Sequence, residues 1–254
     1  MLTAALLVPA PAGAIVGGVP DGNGHPAVGL LAFDVDGTGE TPPFALCTGV
    51  VISDHAFLTA AHCIAAIPGA AWAVTLEGGA PGDPVTTTGF FPDDFPFAII
   101  GPVHRATTAI VHPDFGGGVS RENDVAVVLF PDGTFAGVTP VSLPAPGSLD
   151  GAAGRSVTLV GYGTDATLGP PRHSYAGIRQ TATAGVQTIT ARWLRLAPGA
   201  AALCYGDSGS PQFLGARSNV AVSVWSHHAT TCEGSSRAQR LDVAPVRVFL
   251  APFL

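Results

Sequence analysis

Near its carboxyl end the chain reads CYGDSGSP, Cys204 to Pro211. Small residues flank Ser208 on both sides, so the backbone can turn tightly there and expose the hydroxyl. A serine hydroxyl is a weak nucleophile until a base takes its proton, and the base works well only when a third group fixes its orientation. The chain offers a candidate for each role. LTAAHC puts His62 at the end of an apolar run, directly before Cys63, and RENDVAVVLF puts Asp124 at the mouth of an otherwise apolar strand. Taken singly, each has an ordinary explanation: one histidine among eight, and Asn-Asp as turn chemistry before a strand. Taken together they supply nucleophile, base and orienting carboxylate, the set that acyl transfer requires.

Such distant residues need rigid elements to bring them together. AVGLLAF, GVVIS, AWAVTLEG, TAIVHP, DVAVVLF, SVTLVGYG, GVQTITARWLRL and VAVSVWS are β-branched and apolar runs bounded by Gly, Pro, Asp or Ser, and they read as strands. Only the last stretch, DVAPVRVFLAPFL, carries a helical pattern, with Asp242 as its expected cap. The chain is therefore expected to be all-β with a short C-terminal helix. Residues 131–154, rich in Gly and Pro, read as a connector between two halves.

TAAHC, NDVAVV and GDSGSP, in the order His, Asp, Ser, resemble the chymotrypsin-like (trypsin-like) serine protease family. The order argues against α/β-hydrolases, which run Ser, acid, His, and against subtilisins, which run Asp, His, Ser. The likeness extends over nearly the whole chain from Ile15: IVGG resembles the family's mature start, CTGVVISDHAFLTAAHC its first disulfide loop, and VHPDF and LVGYG familiar strand ends. It implies two six-stranded antiparallel Greek-key barrels. Residues 1–14 are then a signal peptide or propeptide remnant and 15–254 one protease domain, its halves dividing near 131–154. Four cysteines allow three pairings by arithmetic; the resemblance implies Cys47 with Cys63 and Cys204 with Cys232.

Carried over by position, Ser208 attacks the acyl carbon, His62 shuttles the proton, and Asp124 holds the imidazole. The resemblance further implies an oxyanion hole from the amides of Gly206 and Ser208, and an ion pair between the freed amine of Ile15 and Asp207. It places Ala202 at the base of the primary pocket, followed by Leu203, with no carboxylate to receive Arg or Lys. An apolar residue before the scissile bond is then expected, since an unpaired buried cation is strongly penalised. Where the family has Ser-Trp-Gly, Val224, Trp225 and Ser226 are expected to line the pocket, with Ser226 narrowing its entrance. His227 and His228 are expected to be surface or packing residues.

Composition excludes several alternatives. With 254 residues and 47% hydrophobic content the chain can bury a large core. All 11 basic residues are Arg and the formal charge is −7, so nucleic acid is not an expected partner. No stretch reaches the length of a membrane span. An even number of cysteines without CxxC spacing points to an oxidising compartment rather than to a metal. The expectation is a secreted enzyme needing no cofactor, acting as a monomer on protein or peptide substrates, with a proteinaceous inhibitor as a second class of partner. The competing reading is a catalytically weak homologue that binds or regulates.

The amino terminus, MLTAALLVPAPAGA, is apolar and ends in the A-x-A form that signal peptidase prefers. Two outcomes stay open: one cut before Ile15 that both exports and activates, or a propeptide left for a second protease.

Overall fold

The structure is a computed structural model. It describes residues 15–34, 37–38, 43–78, 102–118, 120–163, 166–167, 173–174, 177–199, 201–215, 218–227, 232 and 236–254. The expected leader, residues 1–14, lies outside the described residues, as does His228.

The apolar runs form strands and pack as two curled antiparallel sheets. The first sheet holds β2 (Val28–Asp34), β3 (Phe44–Val51), β4 (Ala56–Thr59), β5 (Ala71–Thr75), β6 (His104–Arg105), β7 (Thr108–Val111) and β8 (Ala126–Leu129). They lie in the order β6-β5-β2-β3-β4-β8-β7 and curl into a half-barrel. Every residue of β2 is buried, as expected of a central strand with both faces covered. Leu31, Phe57, Leu58 and Val127 fill this core, none of them exposed at all.

The second sheet begins with β1 (Val19–Pro20), which pairs outside a closed ring. The ring consists of β9 (Ser156–Gly161), β12 (Gln180–Ile189), β13 (Trp193–Leu196), β14 (Pro211–Phe213), β15 (Ala221–His227) and β16 (Ser236–Arg240). It closes because β9 pairs with both β12 and β14. Closure removes unpaired edges from a sheet whose strands are short. A small hairpin, β10 (Ala166–Thr167) with β11 (His173–Ser174), stands apart. Between the sheets, residues 131–155 hold no named strand.

Three local expectations are corrected. The run 185–196 is the second half of β12, a tight turn and β13 rather than one strand. Thr190 makes the turn, its Oγ1 accepting the Trp193 amide at 3.0 Å, with no Gly or Pro to announce it. Second, His62 sits in a short helix, α1 (Ala61–Ala65), so the carboxyl end is not the sole helical part. Third, Asp242 does not cap the terminal helix α2 (Ala244–Leu250), whose N-cap is Val243 without a side-chain bond. Asp242 is buried instead, accepting Arg240 Nε at 2.8 Å and the Leu149 amide at 3.0 Å. An ion pair that also satisfies a buried amide of the inter-sheet segment outcompetes a cap exposed to water. The helix docks on the first core through Val246 and Leu250.

Candidate active site

His62 follows β4 directly, and Asp124 precedes β8. These strands pair from Ala56↔Leu129 to Thr59↔Ala126, which brings the His62 and Asp124 ends together. Asp124 is fully buried. Its Oδ2 lies 2.8 Å from His62 Nδ1, and its Oδ1 accepts the His62 backbone amide at 2.8 Å. A carboxylate holding both ring and backbone fixes the imidazole's rotation and leaves Nε2 as the nitrogen that can take a proton. The Cys47–Cys63 disulfide, with Cα atoms 6.4 Å apart, secures α1 to β3.

Asp124 has a third partner. Ser226 Oγ donates to Asp124 Oδ2, and Ser226 is only 1% exposed. Of the three residues expected to line the pocket, Val224 and Trp225 fill the cores of the two sheets, and Ser226 faces the triad carboxylate. The register shifts between Trp225 and His227, which turns Ser226 toward barrel one. His227 is exposed, as expected.

The nucleophile loop is tied to the first sheet through Thr48 in β3. The Thr48 amide donates to Ser208 O at 2.8 Å, its hydroxyl donates to Gly206 O at 2.9 Å, and its carbonyl accepts Thr59 Oγ1 at 2.8 Å. Its hydroxyl also accepts the Tyr162 amide at 3.2 Å. Nothing in the sequence marked Thr48, because its role exists only once three separate segments meet. Gly209 has φ +81°, and a Cβ there would collide with Thr59 Oγ1 and the Thr48 carbonyl, so only glycine lets the loop close on the first sheet. Gly206, at φ +90°, is likewise in a backbone region that favours glycine. The Cys204–Cys232 disulfide fastens the loop's start.

Asp207 is fully buried, but its company differs from that of Asp124. Its Oδ1 accepts the Gly163 amide at 2.9 Å and its Oδ2 the Cys204 amide at 2.9 Å. Gly161 and Gly163 have no room for a Cβ beside the Asp207 carboxylate. Among the described residues no cationic side chain pairs with Asp207. Burial pushes its pKa well above the ordinary carboxylate value, and the two amide bonds offset only part of that. Ile15 is completely buried in the second core, with its nitrogen 3.5 Å from Gln180 Oε1. Val16 bridges to Ala202, the expected pocket base, through bonds of 3.1 and 3.0 Å. Beside the half-buried Ala202 and the buried Leu203 lies a cavity of about 10 Å³, bordered also by Cys232 and Ser236 and by no charged residue.

A buried cluster clasps the barrels together behind this loop. Arg179, 1% exposed, pairs with Asp21 at 2.9 Å and donates to the carbonyls of Val28, Leu76 and Gly22. Tyr162 Oη donates to the Glu77 carbonyl at 2.8 Å. Burial raises the Tyr162 pKa to about 12, with Arg179 opposing. Burial also pushes Asp21 up, but His25 and Arg179 outweigh it and hold the carboxyl below its usual value.

One metal-like grouping occurs among the described residues: donor atoms of Cys47, His62 and Cys63 lie within 4.8 Å of one another. Both sulfurs are committed to a disulfide, and a metal needs thiolates, so the grouping does not fit a metal.

The trypsin family's sequence profile matches residues 23–244, and the chain belongs to that family of serine proteases. It is similar to a solved structure described as HL collagenase at 1.7 Å resolution. The TM-score is 0.64 and the identity 21%, covering 90% of this chain and 94% of that one; this likeness speaks to the fold. No curated protein matches the chain in sequence.

Proposed function

We propose that the protein is a secreted serine endopeptidase working through His62, Asp124 and Ser208. The observation that carries this reading is the Asp124 carboxylate, buried and bonded at 2.8 Å to both the ring and the backbone of His62, beside a nucleophile loop pinned at Thr48. Ser208 Oγ attacks the acyl carbon while His62 Nε2 takes its proton, then returns that proton to the leaving amine. The acyl-enzyme is released by water activated at the same nitrogen. Amides of Gly206 and Ser208 would receive the negative charge that develops on the carbonyl oxygen; losing such a donor typically costs about 3 to 4 kcal/mol of barrier.

A buried carboxylate that pairs with no cationic side chain among the described residues supports activation by cleavage. Freed before Ile15, the new ammonium would start from the second core beside Gln180 Oε1 and would have to turn to Asp207 to supply the missing charge. Leaving Asp207 unpaired costs on the order of 3 to 5 kcal/mol, enough to disorder its loop. The neutral surroundings of Ala202 and Leu203 favour an apolar residue before the scissile bond, since an unpaired buried cation is strongly penalised. Two disulfides favour an oxidising compartment and hence secretion.

The test is the intact mass of the purified protein before and after a fluorophosphonate, with peptide mapping. A chain starting at Ile15 with one adduct on Ser208 is expected. An Ile15 start that refuses the label would overturn the reading in favour of a non-catalytic binding homologue.

A further inference from the structure

Ser226 is held at two points by one loop of the first sheet. Its hydroxyl donates to Asp124 Oδ2, and its carbonyl accepts Arg121 Nη1 at 2.6 Å. Arg121 stands three residues before Asp124, so both sides of this grip come from one short stretch of chain. Ser226 falls in the register shift of the β15–β16 pairing, between Trp225 and His227, where the ladder is locally broken and fixes a residue's orientation poorly. A charge-assisted bond to its carbonyl supplies the orientation that the ladder withholds.

The loop carries backbone strain at this bond. Arg121 and Asn123 have φ of 46° and 55°, a region costly for residues with side chains, and such conformations persist where the surroundings fix them. Here they are fixed: the Arg121 amide donates to Gly117 O at 3.1 Å, the Gly116 amide to Glu122 O at 2.9 Å, and Asn123 Nδ2 to Asp114 O at 3.1 Å. Glu122 pairs with Arg192 at 2.8 Å, which ties the same loop to the second barrel again. The charged neighbours of the grip include His62, Glu122 and Arg192, and also Arg237, which interacts electrostatically with both Arg121 and Asp124.

We propose that Arg121 is a positioning residue for the triad: by holding the Ser226 carbonyl it aims the Ser226 hydroxyl at Asp124, and through Asp124 it sets how readily His62 takes a proton. The inference rests on the protease reading and deepens it. The hydroxyl draws on the oxygen that also faces His62 Nδ1. A carboxylate whose charge is shared with a second donor stabilises the imidazolium less, so without that donor the imidazolium forms at higher pH. The same bond ties the loop that carries Asp124 to the half that carries Ser208.

The experiment uses purified protein in the form that labels at Ser208 with fluorophosphonate. Its kcat for one fluorogenic peptide is followed against pH at about 1 M salt, where the Debye length is about 3 Å and through-space charge effects are small. Arg121→Ala is expected to lower kcat by about threefold to tenfold and to move the acidic limb up by about half a pH unit. Arg121→Lys, which keeps a charged donor, should recover most of both. Ser226→Ala should show the same shift, and Arg121→Ala combined with it should add nothing, as for two members of one chain of contacts. Melting temperatures check folding; should Arg121→Ala unfold, Arg121→Met, with an apolar stem and no donor, takes its place. An unchanged limb in Arg121→Ala, whatever its melting temperature, overturns the inference and leaves the protease reading intact. So does a full additional shift in the double variant, which would make the charge act directly, and so does a rise in kcat/KM, which would make the bond an obstacle to substrate. A parent protein that neither labels nor cleaves any peptide removes the protease reading and this inference with it.

Discussion

Asp124 and Asp207 are both completely buried, yet the molecule treats them differently. Asp124 accepts from the His62 ring, the His62 amide and the Ser226 hydroxyl. Among the described residues Asp207 accepts from two backbone amides, and burial drives its proton affinity well above normal. Equal burial therefore teaches little about a carboxylate; the donors around it decide whether its charge is at home. Asp124 accepts from side chains as well as backbone, whereas among the described residues Asp207 accepts from backbone amides and pairs with no cationic side chain, the difference that the proposed Ile15 ammonium would remove.

The strongest way to break this comparison is to remove the groups that Asp124 serves. Ser208→Ala and His62→Ala are each expected to lower kcat by about 10⁴- to 10⁶-fold, Ser208→Ala with the melting temperature nearly unchanged and His62→Ala with a lower one, because the buried Asp124 loses its ring partner. Retained amidase activity in Ser208→Ala would end the triad reading.

Asp207→Asn sharpens the contrast, because its sign should depend on the first residue. In a chain starting at Ile15 the substitution is expected to cut kcat/KM by about 10²-fold or more, by leaving the ammonium unpaired. In a chain that still carries residues before Ile15 it should stabilise the fold at neutral pH. The folded-state pKa of Asp207 is raised there, so its contribution is fully present below about pH 4 and is lost as pH rises through the raised value. Urea melts of the extended protein at pH 4 and pH 7, with and without the substitution, check this: the loss between the two pH values should shrink in Asp207→Asn.

Smaller effects probe the supports. Thr48→Val keeps the shape but orphans the Gly206 carbonyl and the Tyr162 amide, at a cost of about 1 to 3 kcal/mol. Steady-state kinetics should show kcat falling by about tenfold, and Thr48→Ser should restore most of it. Ser226→Ala leaves Asp124 its two bonds from His62, so a loss of about threefold to tenfold is expected, read most clearly as a shift in the acidic limb of the pH–rate profile.

Much of this was legible in the residues themselves. His62, Asp124 and Ser208 each stood at the end of an apolar run or inside a run of small residues, and their order matched one family. The strand runs were legible where Gly, Pro, Asp or Ser bounded them. The turn at Thr190 was not, because a hydroxyl makes it. The bond from Ser226 to Asp124 was not legible, because a bulge after Trp225 shifts the alternation by one, and a single-residue slip moves a side chain to the other face.

The sequence by itself determined the chemistry on offer and the β-rich architecture, since apolar alternation and residue type are written locally, while the disulfide pairing was read from the family resemblance. Only the tertiary structure decided that Thr48 links three segments, that Ser226 donates to Asp124, and that Asp207 is buried with no cationic side chain paired to it among the described residues. Each of these depends on which strands lie side by side and in what register, and a charge or hydroxyl takes its meaning from neighbours dozens of residues away in the chain.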